Sequence, residues 1–507
     1  MRYGVVSSPD GRLRHWQAAC LKRLELAGNE LPVWAMPGRP AAGLSRCWRH
    51  YLAAGERFEV TVQDWWTQAL AADRRAPVDF VVSFSPSTPI DIESAAASVP
   101  RFGVWYFDLG DPGPPGWRAM VKGRPSVRAR LCADIGKAQP IVLQEGALPV
   151  SLCFRETRSR IDQVLAQWPA RAAAEIVAGG WDQLPRGSAD AVGRPPPSDG
   201  ELLGWLLVQP WRRLWDWWRH TTRYDTWNVG IVTIDAPIRE LRQLGNLAGI
   251  RWLPPRRRRY FLADPFPYRY SGRNWLLVEE HGYSRGARSR ISRLDITDGS
   301  ADPKIEPAIV RACHLSYPYT FQDALHTYCA PEMSQQDGCI VYRLDEQGAW
   351  EPRHHVLAGR KLVDPTFFRF EDRWWLLCTD KQSAGNLVLY AYWADALAGP
   401  WTPHALNPLK WDLSSARPAG RAFTLGGRLY RPAQDCSETY GGATTVMEIL
   451  ELTPRRFRET PALRLEPDPR GPYPHGLHHL VVDADRIYLD GKTRSYDNLL
   501  WLKNLFL

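Results

Sequence analysis

Five copies of one unit run through the C-terminal half of this 507-residue chain, and they constrain its fold more than any other feature. They read ADPFPYRYSGRNWLLVEE (263–280), SYPYTFQDALHTYCAPE (316–332), VDPTFFRFEDRWWLLCTD (363–380), ARPAGRAFTLGGRLYRPAQD (416–435) and HGLHHLVVDADRIYLD (475–490). Each has an early proline or glycine, an apolar strand, a polar turn, a second apolar strand and a terminal acid or amide. Pro265, Pro318, Pro365 and Pro418 recur at steps of 53, 47 and 53 residues. A unit of short strands near 50 residues long cannot bury its own apolar faces, whereas copies arranged around an axis can. The pattern predicts a five-bladed β-propeller over 227–507, with WNVGIVTI (227–234) as a spare strand to close the ring against the last blade.

The period also orders the chemistry. If the strand that opens each unit is innermost, Asp264, Tyr317, Asp364 and Arg417 surround one end of the axial channel, with Glu279, Glu332, Asp380, Gln434 and Asp490 on adjoining strands. Carboxylates crowded at low dielectric repel one another, which raises at least one pKa and separates a proton donor from an anion. Glycosyl transfer and hydrolysis use that separation. Asp264, Asp364, Glu332 and Glu279 are therefore the candidate catalytic residues. Arg417 and Arg431 are candidates to neutralise a substrate phosphate or carboxylate, Tyr440 and Trp275 to stack on a ring, and His478 to shuttle a proton. Gln434, Asp435 and Asp380 complete the propeller's candidate substrate-binding set. The same acids could instead hydrogen-bond turn amides that hold blades together, and the sequence leaves both roles open. His475, His478 and His479 have metal-like spacing but no accompanying carboxylate motif, so no metal is assigned.

In the N-terminal half, a strand at 2–7, helical spacing of Leu13, Trp16, Cys20 and Leu24, and a strand at 31–36 read as a βαβ opening. Strands at 79–84 and 102–107, flanking a helix-like stretch at 90–98, extend it to an α/β Rossmann-like layer. No GxGxxG or P-loop pattern is present. The Pro/Gly/Ser/Asp-rich stretch 186–200 reads as a linker, which ends the first domain near residue 185 and leaves 186–226 as linker plus a Trp/Arg-rich segment. In 202–219, Trp205, Trp211, Trp215, Trp217 and Trp218 interleave with Arg212, Arg213 and Arg219, around an interrupting Pro210. Such a segment suits either packing between domains or a peripheral membrane contact, with glycan contact a third option.

Composition narrows the classes further. The 44% hydrophobic and 23% charged fractions fit folded globular domains rather than disorder or a polytopic membrane protein. A net charge of +9 favours anionic partners, but the cations are scattered and no DNA- or RNA-binding signature accompanies them, so nucleic acid is not expected. Nine cysteines without a CxxC pair indicate a reducing compartment. With no signal-like start, the expectation is a cytoplasmic protein, or one peripheral to the inner membrane.

The stretch FGVWYFDLGDPGPPGWRAMVKGRP (102–124) resembles the formyltransferase-like domain of bacterial proteins similar to glucosamine inositolphosphorylceramide transferases. Gly103, Val104, Trp105, Phe107, Gly110, Asp111, Gly113, Pro114, Gly116 and Trp117 carry the match. The resemblance implies a site at this strand end, with Asp108 and Asp111 as substrate-binding candidates. Folate-dependent formyltransferases carry an Asn-x-His pair there; this chain has Tyr106 and Asp108, so formyl-folate is not expected as a cofactor. DPF, SYP with its later PE, DPTFF, and ARPAG followed by RPAQDCSETYGG resemble the propeller of the same family. The blade-opening DP pairs also resemble five-bladed furanosidases, which implies base or nucleophile and transition-state-stabilising roles for Asp264 and Asp364.

The function expected is a carbohydrate-active transferase in glycolipid or surface-polysaccharide biosynthesis, with the sugar in the propeller channel and a nucleotide sugar as the donor considered. The alternatives are an N-formyl or N-acyl transferase on an amino sugar and a non-catalytic glycan-binding scaffold.

Overall fold

The computed structural model describes residues 1–7, 13–30, 34–37, 77–84, 100–110, 115–137, 139–185, 198–234, 238–245, 249–256, 260–283, 289–300, 302–483 and 486–496. The chain divides into two compact units, Met1–Trp215 and Asp216–Leu507.

In the first unit β1 (Tyr3–Ser7), α1 (His15–Leu26) and β2 (Trp34–Pro37) form the βαβ opening, with β1 and β2 parallel. β3 (Phe80–Ser83) and β4 (Val104–Asp108) continue the parallel run, and β5 (Ser126–Asp134) and β6 (Ile141–Pro149) add antiparallel strands. The order is β2-β1-β3-β4-β5-β6. Near-continuous apolar runs such as FVVS suit strands buried on both faces; Phe80 stacks on Trp105 at 3.9 Å. The departure from a doubly wound layer begins where β5 pairs antiparallel with β4, and β6 is antiparallel to β5 because the connection from Asp134 to Ile141 is far shorter than the dozen or more residues a parallel crossover needs. The expected helix at 90–98 lies outside the described residues, so the described part is an α/β sheet with a mixed edge rather than a complete Rossmann-like layer. Further helices are α2 (Trp117–Val121), α3 (Phe154–Leu165), α4 (Trp168–Val177) and α5 (Asp199–Thr222).

α5 continues through Pro210, contrary to the interruption expected there. Anchors on one face hold it: Leu202 and Trp205 pack with Trp117 and Phe154, and Gln209 Nε2 donates to the Leu152 carbonyl at 3.0 Å. The Arg212 guanidinium donates to the carbonyls of Met120 (3.0 Å) and Val121 (2.8 Å). Arg212 is thus a structural group and not a free surface cation. Leu203, Leu207, Trp211, Leu214 and Trp215 remain exposed.

In the second unit the repeats become five blades. Strands β7 (Arg223–Thr233) and β8 (Arg251–Trp252) precede the first. β9 (Tyr260–Tyr270), β10 (Arg273–Gly282), β11 (Arg290–Asp295) and β12 (Ile305–Ile309) make blade one. β13 (Ser316–Asp323), β14 (His326–Glu332), β15 (Cys339–Leu344) and β16 (Trp350–Val356) make blade two. Blade three comprises β17 (Leu362–Phe370), β18 (Arg373–Asp380), β19 (Val388–Ala394) and β20 (Thr402–Pro403), with β21 (Lys410–Trp411) also pairing β19. Blade four comprises β22 (Phe423–Leu425), β23 (Arg428–Asp435), β24 (Ala443–Leu452) and β25 (Phe457–Leu465). Blade five has the order β26-β27-β7-β8, combining β26 (Leu480–Val482) and β27 (Arg486–Tyr496) with the two strands from the start of the unit. The spare strand expected at 227–234 does close the ring, pairing antiparallel with β27 from Arg223 opposite Tyr496 to Thr233 opposite Arg486.

The polar turns of the repeat have a physical reason. Ser271-Gly272, Glu371-Asp372 and Gly426-Gly427 all have positive φ at both positions, the geometry whose twist matches a two-residue hairpin. Inside the ring the inner strands bury Phe266, Tyr317, Tyr319 and Phe367 at 0–1% exposure, so the axis is packed rather than open. Blades four and five meet at Gly420, where φ is 135° and an added Cβ would stand 1.9 Å from the Leu480 carbonyl oxygen. Gly420→Ala is therefore expected to cost at least about 2 kcal/mol, in the upper part of the range for overpacking. Urea denaturation checks this, and an unchanged midpoint would contradict so close an approach.

Candidate active site at one end of the propeller

The residues that open the first three blades are strained in the same way. Asp264, Tyr317 and Asp364 have φ of 53°, 45° and 49°, a region costing a non-glycine residue roughly 1–3 kcal/mol. In each blade the pairing of the first two strands shifts register at this point, a bulge that re-aims the side chain. Acids hold the strained amides. Asp490 Oδ2 accepts from the Asp264 amide (3.1 Å), Asp264 Oδ2 from the Tyr317 amide (3.0 Å) and Glu332 Oε2 from the Asp364 amide (3.2 Å).

Three side-chain clusters stand on this frame. In the first, His478 Nδ1 lies 2.7 Å from Asp490 Oδ1, and His478 Nε2 lies 3.6 Å from Asp264 Oδ1. Burial pushes Asp264 up to about 7, and the Asp490 and Asp364 charges add to it, while His478 pulls the other way. Burial alone would lower His478, but Asp490 and Asp264 more than offset it and hold the imidazole above its ordinary value. Burial also works against Asp490, yet His478 holds that carboxyl below the usual range. The structure thus brings two carboxylates to a histidine for which the sequence offered none. With His478 hydrogen-bonded to Asp490 and 3.6 Å from Asp264, the three read as a proton relay.

In the second cluster Arg417 donates to both oxygens of Asp364, from Nε at 2.6 Å and Nη2 at 3.3 Å, and Nη2 lies 3.6 Å from Glu332. Gln434 Nε2 donates to Asp364 Oδ2 at 2.8 Å. Burial pushes Asp364 up to about 7 against the pull of Arg417. The Arg417 guanidinium also stands 5.2 Å from the centre of the Tyr440 ring. The third cluster joins Glu279 on β10 to His281 and His314. Burial, then Asp264, drive Glu279 well above the ordinary carboxyl value. Burial lowers both histidines, His281 to about 4.

All three clusters reach one cavity of about 740 Å³, whose walls include Asp264, Glu279, Glu332, Arg417, Tyr440 and His478, whereas Asp364, Gln434 and Asp490 are buried behind this wall and do not line it. A second cavity of about 590 Å³ lies among residues further along the inner strands, such as Pro267, Thr320 and Phe367. Between them the axis is filled: Tyr317 Oη accepts from the Gly420 amide at 2.8 Å, and Arg421 Nη2 donates to the carbonyls of Thr320 (2.9 Å) and Pro267 (3.2 Å). The channel is a closed-ended cup rather than a through-pore.

Other sequence candidates lie elsewhere. Arg431 is buried against Glu459, donating from Nε at 2.6 Å and Nη2 at 2.7 Å, so it serves blade four and does not meet a substrate anion. Trp275 lies beside Tyr268 with Arg293 over its ring at 5.0 Å, outside both cavities. Asp380 caps the following turn through the Gln382 amide (2.9 Å) and lies 3.7 Å from Arg360. Asp435 accepts from the Ser437 amide (2.9 Å) and from Arg464 (3.0 Å). Asp108 accepts from the Gly110 amide at 2.9 Å, a turn role, and Asp111 lies outside the described residues. Sequence reasoning missed His281, His314 and Trp227. His281 follows Glu279 by two residues on one strand, a same-face spacing that was there to be read. Trp227, whose ring lies 3.8 Å from that of His478, belongs to the closing strand.

A family model described as the N-terminal part of glucosamine inositolphosphorylceramide transferase 1 matches residues 257–480, wholly within the propeller unit. Curated relatives include the glucosamine inositolphosphorylceramide transferase 1 of Oryza sativa subsp. japonica, 30% identical over 244 residues, which are 47% of this chain and 33% of that protein. The protein of the same name from Arabidopsis thaliana is 31% identical over 205 residues, 39% of this chain and 27% of that protein. The chain spans about a third of the length of the curated relatives it matches. Among solved structures, a thermostable family-43 glycoside hydrolase overlaps 41% of this chain and 77% of its own at 12% identity and a TM-score of 0.32, too loosely to bear on the site. The formyltransferase-like reading of the first unit rests on residues 102–124 alone.

The raised pKa of Asp264 sets a sign for stability. A carboxyl that titrates at about 7 when folded and 3.8 otherwise binds its proton more tightly in the native state, so its contribution falls as pH rises between those values and is flat above about 7. Asp264→Asn removes the titration. Across that window the wild type is expected to lose stability relative to the variant, in denaturation series at stepped pH. Parallel curves would show that Asp264 titrates normally.

Proposed function

We propose that the propeller cavity binds the sugar of a glycosyl-transfer substrate, and that the chain is a transferase in glycolipid or surface-polysaccharide biosynthesis. The observation that carries this reading is Asp264: a carboxyl that titrates near neutrality, on the wall of a cavity of about 740 Å³, oriented by a histidine that a second carboxylate holds. A group that ionises near working pH is suited to acid–base transfer. In this reading Asp264 moves the proton, with His478 and Asp490 as its positioning residues. Glu332 on the cavity wall places negative charge where a developing oxocarbenium ion benefits, and the buried Asp364 acts behind it by holding Arg417. Tyr440 offers a ring face to the sugar. Arg219 and Arg223 also line the cavity and suit the phosphates of a nucleotide-sugar donor. The curated relatives' names join glucosamine and inositolphosphorylceramide in one transfer, which supports an amino sugar and a lipid as the substrate classes to try first.

A lipid acceptor also gives α5 a role. Leu203, Leu206, Leu207, Trp211, Leu214 and Trp215 are exposed beside exposed Arg213, the composition of a helix that lies in an anionic bilayer interface. Among the described residues no helix is long and apolar enough to cross a membrane. A place at the cytoplasmic face of the inner membrane follows as part of the same proposal.

Incubation with a panel of nucleotide sugars and lipid acceptors, followed by mass spectrometry, should reveal a glycosylated product. Asp264→Asn should lower its rate by on the order of a hundredfold with no loss of melting temperature. Sugar binding without product from any pair would favour a glycan-binding scaffold instead. Separately, the protein should sediment with vesicles containing anionic lipid. Trp211→Ala with Trp215→Ala should weaken this by about tenfold or more, since a large apolar side chain contributes ~1.5–3 kcal/mol on burial. No difference between variant and wild type would remove α5 from the membrane.

A further inference from the structure

We infer that Glu279, His281 and His314 form a binding site for one divalent transition-metal ion in the wall of the propeller cavity. Glu279 and His281 are two residues apart on β10, so their side chains leave the strand on the same face. His314 reaches them from the segment just before β13. One ligand atom from each lies within 4.8 Å of the others, and His314 Nε2 is 3.7 Å from Glu279 Oε1. Zinc-like ions sit about 2.0–2.2 Å from imidazole nitrogen and carboxylate oxygen, so small side-chain movements would close three donors of this set around one ion.

Two further observations point to a cation. The buried Ser289 hydroxyl hydrogen-bonds His281 Nδ1, the kind of outer contact that fixes the orientation of metal ligands. Carboxylates also gather around Glu279, while the nearby cations are Lys381, whose charge acts on His314, and the Arg219, Arg223 and Arg417 that line the same cavity. Asp264, Glu332 and Asp364 all act electrostatically on Glu279, and the side chains paired with these acids and with Asp490 are Arg417, the imidazole of His478 and the neutral His479. A dication beside Glu279 relieves the repulsion among these carboxylates. Two imidazoles and one carboxylate select an ion of the zinc, iron or nickel type over calcium, magnesium or manganese, and three protein ligands leave a coordination position for an oxygen from the cavity. The inference does not depend on the glycosyl reading, because it requires no sugar and no turnover.

The full chain, stripped with a chelator, is titrated with Zn²⁺ by calorimetry and with Co²⁺ by visible absorption. One ion per chain is expected, with Co²⁺ bands typical of nitrogen and oxygen ligation. His281→Ala and His314→Ala should each abolish the site, and Ser289→Ala should weaken it by about 10–100-fold. His314 is 36% exposed, so His314→Ala decides the matter if the His281 variant does not fold. Failure of the wild type to bind either ion, or unchanged binding in folded His314→Ala, overturns the inference.

Discussion

A carboxylate receiving the strained amide that opens a blade is the contact on which this end of the propeller depends. The amides of Asp264, Tyr317 and Asp364 point inward from a left-handed backbone and are answered by Asp490, Asp264 and Glu332. A buried N–H without an acceptor costs about 1–3 kcal/mol, so these acids are needed for the fold. Their crowding follows from the ring, because successive blades bring the same position of the repeat to the same end of the axis. The raised pKa values of Asp264 and Asp364 are then a consequence of architecture. The two roles left open for the acids by the sequence, blade anchor and reactive group, fall on the same atoms.

The clusters also stitch blades together. Arg417 and Gln434 of blade four hold Asp364 of blade three, His478 of blade five stands beside Asp264 of blade one, and His479 Nε2 lies 3.0 Å from the Pro265 carbonyl. A change in protonation at Asp264 is therefore felt across the seam where the ring closes. The packed axis, with Tyr317 and Arg421 bonded across it, keeps that seam from opening into a pore.

Much of this was legible because the repeat writes geometry directly into spacing. Equivalent positions near Pro265, Pro318, Pro365 and Pro418 had to share one end of the ring, and an unpaired strand before the first blade had an obvious partner. What was not legible depends on partners with no fixed separation. Arg431 looked available until Glu459, 28 residues on, proved to hold it. Trp275 shares the face of Glu279 but lies four residues along β10 from the cup, and Asp380 is spent on the turn after β18, so residue type and periodicity alone do not place either at the site. The short turn between β5 and β6 decided the direction of that pair, where hydrophobic runs suit parallel and antiparallel strands alike.

Closing the ring with β7 against β27 joins Arg223 to Tyr496. During translation the first strand of the propeller emerges long before its partner, and it carries an edge of unsatisfied backbone groups until the last blade has left the ribosome. Four blades can form in turn as they are made, but the cup acquires its full wall only once the fifth blade is made, since His478 and Asp490 arrive with it. Any truncation that removes β27 leaves an open arc with sticky ends, prone to pairing with other chains.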